Sequence, residues 1–275
     1  MCIRDSLRRD SYHCGVAYGM FDFHRVIHTI TMKKYPRTSH LVVLEKGKDS
    51  LESYRLARYL MHTQVYQHHV RAITDGMLIK AAEYAFREGG LSKEKLSFSK
   101  NDEEFLEYYT SLTDEVFLHE LYKNSNESTK YIIKNIYERK LLKRGFEKNW
   151  QNLPYEIKTE FSKLLESPAR EKFPKIREIE TRISEKVNTK PYNIILYPLI
   201  INVPLYKSPD IYSEGLEQKI LIKMKNGEIR PLDEVSKLTT REYKFDAKLF
   251  VFCPPNKIES VREVSEHVIK EVLNV

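Results

Sequence analysis

The most constraining feature of this 275-residue sequence is an apolar periodicity that continues without a break from Ser50 to Arg87. Apolar side chains recur there at the spacing of a helix, and Gly89-Gly90 follows directly. The pattern predicts one long helix that ends at the glycine pair. At this length the helix must be a central element of the fold.

Within this helix, the stretch Arg55–Arg71 carries a polar strip between two apolar flanks. On a helical wheel, five polar side chains fall within an arc of roughly 80°: Arg55, Arg58, His62, Tyr66 and His69. The expected apolar flanks are Leu56, Leu60 and Val70 on one side and Ala57, Met61 and Val65 on the other. Guanidinium groups, imidazoles and a phenol without a carboxylate suit an anion such as phosphate. A solvated surface face is the alternative, but five such residues at helical spacing favour a pocket wall.

Composition and charge restrict the class of protein further. The length fits one large domain or two modest ones, and 41% hydrophobic and 11% aromatic residues argue against global disorder. The 46 Lys and Arg residues exceed the 39 Asp and Glu residues, which gives a net charge of +7. This excess favours an anionic partner such as a nucleotide, nucleic acid or acidic lipid, without choosing among them.

The cysteines and the N-terminus bear on the compartment. Cys2, Cys14 and Cys253 show no CxxC spacing, which argues against a disulfide framework or structural zinc and favours a reducing cytoplasm. No apolar run approaches the ~20 residues that span a bilayer, so no membrane partner is expected. The opening MCIRDS resembles a translated sequencing-adaptor sequence, and we therefore expect the natural reading frame to begin upstream.

Periodicity and turn signals predict the remaining elements. Further helices are expected at Phe21–Thr31, Asn101–Lys123, Glu127–Lys143, Pro154–Glu166, Phe173–Val187 and Lys257–Leu273. Strands are expected at Leu41–Glu45, Tyr192–Leu199, Lys219–Lys225, Glu228–Leu232 and Lys248–Phe252. Asn226-Gly227 is typical of a type I′ hairpin turn. The chain is thus predicted to be mainly α, with a small α+β antiparallel sheet region at its C-terminus.

Two blocks of sequence carry a resemblance to a known family. These are LRRDSYHCGVAYGMFDFHRVIHTI at residues 7–30 and LESYRLARYLMHTQVYQHHVRAITDGML at residues 51–78. Together they resemble the HD-domain phosphohydrolases, in the branch that includes the deoxynucleoside triphosphate triphosphohydrolases. The resemblance is densest over Leu7–Phe86. It implies the C-terminal part of an HD-type helical catalytic domain at residues 1–98, a helical accessory region at 99–190 and an α+β region at 191–275.

The resemblance also implies a divalent metal, Mg²⁺, Mn²⁺ or similar, whose ligands are not in this sequence. In that family a His, a His-Asp pair and a later Asp hold the metal, which activates water against a phosphoryl group. The His and the His-Asp pair align upstream of Met1. The later Asp aligns with Cys2 and a pocket Tyr aligns with Ser6, so neither family residue is present here. We therefore expect no catalytic or metal-binding residue in this chain, and no activity from the fragment alone.

The substrate side of the family's site does align with this chain. By the resemblance, Asp10 binds the sugar 3′-hydroxyl and Arg58 binds the triphosphate. Tyr66 packs on the deoxyribose and His62 lines the pocket near the base. His69 stands where relatives often have Lys, which leaves its role open. For Asp10 the alternative is a carboxylate paired with Arg8 or Arg9.

The function that follows is metal-dependent hydrolysis of a nucleotide, most simply a deoxynucleoside triphosphate, by a homo-oligomeric enzyme of which this chain is part. The alternative is a catalytically silent protein that binds nucleotides or nucleic acid through the same basic pocket, although no nucleic-acid motif is present. The basic segment ERKLLKRGFEK at residues 138–148 fits either a nucleotide contact or a solvated face.

Overall fold

The computed structural model describes residues 2–34, 39–92, 96–97, 103–201, 220–236 and 246–275. The chain divides into two compact units, each built from two separate stretches of sequence. The first unit comprises residues 1–68 and 201–245, and the second comprises residues 69–200 and 246–275. Helices dominate and the strands form two small sheets, so the predicted fold class is confirmed.

The first unit combines three longer helices with a small sheet. Its helices are α1 (Cys2–His13), α2 (Phe23–Thr29), α3 (Lys48–Met61) and the short α10 (Leu232–Val235). Its strands are β1 (Ile30–Lys34), β2 (Ser39–Leu44), β5 (Leu221–Lys223) and β6 (Ile229–Pro231).

These four strands form a mixed sheet in the order β1-β2-β5-β6. The outer pairs are antiparallel, with Ile30 opposite Val43 between β1 and β2. The central pair, β2 and β5, is parallel, with Val42 opposite Leu221. The core of the unit consists of buried apolar side chains from this sheet and its neighbouring helices: Val43, Leu51, Ile222 and Leu232.

The second unit contains the larger cores. Its helices are α4 (His69–Arg87), α5 (Glu103–Ser111), α6 (Asp114–Asn124), α7 (Glu127–Tyr137), α8 (Tyr155–Glu166), α9 (Ala169–Lys186) and α11 (Ile258–Leu273). Its strands, β3 (Lys143–Asn149), β4 (Ile195–Ile201) and β7 (Asp246–Cys253), form a sheet in the order β3-β7-β4. One apolar cluster lies among α8, α9, α11 and the sheet, and another among α4, α6, α7 and the sheet.

The prediction of one uninterrupted helix from Ser50 to Arg87 is wrong. A π-helical turn at His62–Tyr66 ends α3, and α4 starts anew at His69. In this turn the Gln67 N–H donates to the carbonyl of His62, five residues back, at 2.9 Å. The Thr63 hydroxyl donates to the carbonyls of Tyr59 and Leu60 at 3.0 and 3.3 Å. Such back-bonding competes with regular helical hydrogen bonds and bends helices.

Three other predicted helices are shorter than expected. The helix predicted at Phe21–Thr31 is α2, which ends at Thr29, and β1 begins at Ile30. The Asn101–Lys123 pattern contains α5 and α6, separated at Thr113, whose hydroxyl accepts from the N–H of Val116 at 3.4 Å and caps α6. Asn101, the first residue of the predicted helix, lies outside the described residues. The helix predicted to reach Lys143 ends at Tyr137, and Arg139 then adopts a positive φ of 55°. The basic segment 138–148 therefore contains most of strand β3 rather than a helical face.

The predicted C-terminal strands exist but do not share one sheet. β4 and β7 pair within the second unit, whereas β5 and β6 join the N-terminal strands β1 and β2. The hairpin between β5 and β6 is confirmed, although its turn is not type I′ because Asn226 lacks a positive φ. Gly227, with φ of 85°, follows a turn closed by its N–H donating to the Met224 carbonyl at 2.9 Å. This hydrogen bond and the positive φ of the glycine are typical of a type I turn followed by a glycine bulge.

The predicted domain bounds after residues 98 and 190 differ from the bounds of the compact units and stay a prediction about the family's organisation. Within the described ranges, every helix is too short or too polar to cross a bilayer.

Candidate functional site

Asp10 and Tyr66 meet in the first unit, although 56 residues separate them in the sequence. The Tyr66 hydroxyl donates to Asp10 Oδ2 at 2.6 Å. Asp10 Oδ1 lies 3.9 Å from the Nε of Arg9, which is a loose ion pair at a largely exposed guanidinium. The alternative interpretation of Asp10 as a partner of Arg9 is thus compatible with the bond to Tyr66.

The last turns of α1 and the loop after it are fixed by Ser11, a residue that sequence reasoning missed. Its buried hydroxyl donates to the carbonyl of Val16 and accepts from the N–H of Gly19 at 3.2 Å. A side chain at Gly19 would lie 2.3 Å from the carbonyl oxygen of Leu7. The loop that begins at Cys14 is therefore held against α1, whose last turn carries Asp10.

Arg58, on the last turn of α3, contributes the cation of the site. Its side chain is half-buried, and its Nε is buried without a hydrogen-bond partner among the residues that the structure describes. A buried guanidinium donor without an acceptor is unfavourable. This atom is therefore available to an anionic ligand.

His62 lies between this cation and Tyr66. Burial first, and the nearby Arg58 charge second, lower the pKa of His62. Its ring meets that of Tyr66 edge to face, with 5.0 Å between the ring centroids. His62 is consequently a neutral imidazole at pH 7.

Tyr66 is held as a neutral phenol. Burial raises the pKa of Tyr66, and the hydrogen bond to the Asp10 carboxylate raises it further. The π-helical turn begins at His62 and ends at Tyr66, so these two aromatic rings bracket the irregular backbone. Turns of this kind are frequent at functional sites.

The structure therefore brings together four of the five predicted residues. Asp10, Arg58, His62 and Tyr66 all belong to the first unit. His69 is the first residue of α4 and belongs to the second unit. The predicted apolar flank is wrong at Leu56 and Val70, which are 43% and 36% exposed. The opposite flank is right at Ala57 and Met61, which are buried.

The described side chains do not fit a divalent metal. Asp10 already accepts from Tyr66, and His62 lies beside a guanidinium charge that opposes a second cation. In the described ranges, no three His, Cys, Asp or Glu side chains are grouped so that they could hold a metal ion. Chemically, the arrangement offers a guanidinium donor suited to an anion and a carboxylate acceptor suited to a hydroxyl.

Comparison with known proteins gives a family match over most of the chain. The family described as HD associated region matches residues 21–274. A further similarity is to SAMHD1 of Bos taurus, a deoxynucleoside triphosphate triphosphohydrolase, at 28% identity over 170 residues. That alignment covers 56% of this chain and 28% of SAMHD1.

Two microbial proteins match shorter segments at higher identity. The uncharacterized protein MJ1154 of Methanocaldococcus jannaschii is 37% identical over 93 residues, which are 34% of this chain and 21% of that protein. The uncharacterized protein YwfO of Bacillus subtilis is 38% identical over 76 residues, which are 28% of this chain and 17% of that protein. The matched segment spans less than a third of each of these three relatives.

Two solved structures share the fold. A phosphohydrolase from Bacteroides thetaiotaomicron superimposes with a TM-score of 0.61 at 19% identity, over 90% of this chain and 60% of that one. A hypothetical protein from Aquifex aeolicus gives a TM-score of 0.59 at 22% identity, over 94% of this chain and 55% of that one. The predicted relationship to the HD-domain phosphohydrolases is confirmed by the sequence and fold matches together.

Proposed function

Because the chain belongs to the HD-associated region family, we propose that it supplies the sugar- and phosphate-binding side of the site of a nucleotide phosphohydrolase. The proposed substrate is a deoxynucleoside triphosphate, in keeping with the activity for which the relative SAMHD1 is named. Two observations carry the proposal: the buried Nε of Arg58 has no partner among the described residues, and His62, next to this charge, meets the ring of Tyr66, which is bonded to Asp10.

Each residue of the site has a distinct proposed role. Arg58 binds the phosphates, since a guanidinium matches the charge and geometry of phosphate oxygens. Asp10 accepts from the sugar 3′-hydroxyl through the oxygen that Tyr66 leaves open, and the Tyr66 ring packs on the deoxyribose. His62, neutral at pH 7, contacts the base. His69 stays in the predicted set of substrate-binding residues, with the role that the resemblance leaves open.

The hydrolytic step is proposed for the complete protein. A divalent metal, when bound, would activate water there. Its ligands would be residues other than those described here, because the described side chains do not fit it. The complete protein is also proposed to be a homo-oligomer.

Binding of the four deoxynucleoside triphosphates to the purified chain, measured by calorimetry, tests the role of Arg58. Loss of a hydrogen bond to a charged group removes about 1.5–3 kcal/mol, so Arg58→Ala should weaken binding roughly 10-fold or more. Arg262→Ala, at an exposed position of α11, is the matched control and should leave the affinity unchanged. Equal affinities of wild type and Arg58→Ala would remove Arg58 from the phosphate role.

Hydrolysis is tested separately on the full natural gene product. With Mg²⁺ or Mn²⁺ present, release of triphosphate or phosphate from the bound nucleotide is expected. Retained binding without release would instead support the catalytically silent nucleotide-binding protein.

A further inference from the structure

A cavity of about 280 Å³ lies in the second unit, among α4, α9 and β4. Much of its lining is apolar and includes Ile79, Phe173, Ile176 and Ile195. Its volume exceeds the ~150 Å³ of a cavity that binds benzene and approaches the ~300 Å³ at which ligand pockets begin. The cavity therefore suits a small organic molecule rather than a nucleotide.

A buried ion pair forms the polar part of the lining. Lys80 Nζ donates to Glu180 Oε2, and the two side chains are only 7% and 6% exposed. Glu180 Oε1 accepts from the backbone N–H of Leu196 at 3.0 Å, so both carboxylate oxygens have donors. A buried ion pair of this kind adds little net stability compared with apolar side chains. Stability alone therefore does not explain why Lys80 is buried at this cavity.

The ammonium group of Lys80 has more N–H donors than it has hydrogen bonds among the described residues. An ammonium group carries three N–H donors. Across the described ranges, the bond to Glu180 is the only side-chain hydrogen bond of Lys80. A buried donor that faces a cavity is stabilised by any acceptor that enters it.

The charges around the cavity leave one positive charge in excess. The charged lining residues are Lys80, Lys172, Arg177, Glu83 and Glu180. Arg177 Nε contacts Glu83 Oε1 as an ion pair, and Arg87, which is not a lining residue, lies 3.1 Å from the same oxygen, so Glu83 is shared by two cations. Lys172 donates to the carbonyl of Leu165 at 3.1 Å, and among the described residues no carboxylate forms an ion pair with it. A ligand with a single negative charge would balance the lining.

We propose that this cavity binds a small monocarboxylate with an apolar body, whose carboxylate accepts from Lys80 and whose body packs on Phe173, Ile176 and Ile195. This site lies wholly within the second unit and is independent of the proposed nucleotide site. Size, apolar walls, the spare donors of Lys80 and the single excess charge all favour this chemical class.

The test compares two probes that differ only in their polar end. We expect 4-phenylbutyrate to bind the purified chain at least 10-fold more tightly than 4-phenyl-1-butanol in calorimetry. Methyl resonances of Ile176 and Ile195 should shift on addition of the acid. Equal affinities for the two probes, or no binding of either, would overturn the proposal.

Two variants locate the site. Phe173→Ala removes an apolar wall residue that is 47% exposed and should weaken both probes several-fold. Tyr155→Ala, at a 78% exposed ring outside the cavity, is the matched control and should change neither affinity. The same loss of affinity in both variants, or in neither, would contradict the site.

The role of Lys80 is tested with both partners of the ion pair replaced. Lys80→Met with Glu180→Gln avoids leaving a buried charge unpaired. The preference for acid over alcohol should then fall to about one, whereas a preserved preference would exclude Lys80 as the recognition residue. If this double variant does not fold, the comparison of Phe173→Ala with Tyr155→Ala still decides whether the cavity binds.

Discussion

Tyr66 and Asp10 bond to each other before any ligand is present. The bond holds the phenol as a donor, and the raised pKa of Tyr66 keeps it neutral throughout the physiological range. The helical wheel indicated Tyr66 as a binding residue, and the family resemblance indicated Asp10. Neither could show that the two side chains touch, because their contact depends on how α1 packs against α3. The roles in binding assigned to both residues, and to Arg58, His62 and His69, stay predictions.

Replacing Tyr66 with Phe should lower the free energy of unfolding of the first unit by about 1 kcal/mol, because a half-buried carboxylate loses its donor. Urea unfolding followed by circular dichroism measures this change. Tyr155→Phe removes a hydroxyl from an exposed ring and is the control that should be neutral. A neutral Tyr66→Phe would mean that water replaces the phenol without loss.

Cys14 and Cys253 should differ sharply in reactivity. Burial raises the pKa of the Cys253 thiol to about 11, whereas Cys14 is exposed. The thiolate is the reactive form, so a raised pKa lowers reactivity at any given pH below it. At pH 8, iodoacetamide should modify Cys14 in the folded chain and Cys253 only after unfolding, as read by peptide mass mapping. Equal rates at the two thiols would contradict the burial of Cys253.

At the scale of the element, the interruption between α3 and α4 shows where periodicity fails as a guide. Apolar spacing continues through Val65, so the pattern gives no sign of a break. The break comes from hydrogen bonds that periodicity does not contain, those of Thr63 and Gln67 to earlier carbonyls. Elements with a strong local signal were predicted well, as α8, α11 and the β5–β6 hairpin show. The partners of the strands were not predicted, because pairing of β2 with β5 joins residues 179 positions apart in sequence, such as Val42 and Leu221.

Substitutions at two glycines distinguish the cost of steric overlap from the cost of backbone strain. A Cβ on Gly145 of β3 would lie 2.6 Å from Val261 Cγ1 and 2.7 Å from Cys253 Sγ. A Cβ on Gly227 meets nothing within 4 Å, although its φ of 85° strains any other residue. We expect Gly145→Ala to lower stability by about 1–3 kcal/mol through overpacking and Gly227→Ala by about 1 kcal/mol.

Thermal unfolding of the two glycine variants measures the difference. Gly227→Asn serves as the control, since Asn tolerates positive φ better than Ala and should recover part of the loss. A Gly145→Ala variant as stable as wild type would show that β3 and α11 can separate without penalty.

At the scale of the whole molecule, the chain is two compact units rather than one. Composition and length allowed either one large domain or two modest ones and could not choose. The family resemblance did not reveal the discontinuous units either, because each unit takes in residues far apart in sequence. The first unit rests on a small apolar cluster, and the second on two larger ones.

The two units should unfold at different urea concentrations. Trp150, the single tryptophan, belongs to the second unit and packs on Phe161 with 6.1 Å between the ring centroids. Its fluorescence therefore reports the unfolding of the second unit, which has the two larger apolar clusters. Circular dichroism reports the loss of helix in both units. We expect the fluorescence midpoint at higher urea than the first loss of helical signal. Superimposable curves would instead show a single cooperative transition.

The parallel pairing of β2 with β5 has a consequence for the order of synthesis. A ribosome that has released β2 must still translate the whole stretch from His69 to Ile200 before β5 emerges. Until then the inner edge of β2 has no partner from its own sheet. Translation of the first unit, which carries Asp10, Arg58 and Tyr66, therefore begins first, but its sheet is completed only after β5 has been synthesised. Chains that stall between these two strands would expose an unpaired strand edge, which is the kind of surface that chaperones bind and that aggregation exploits.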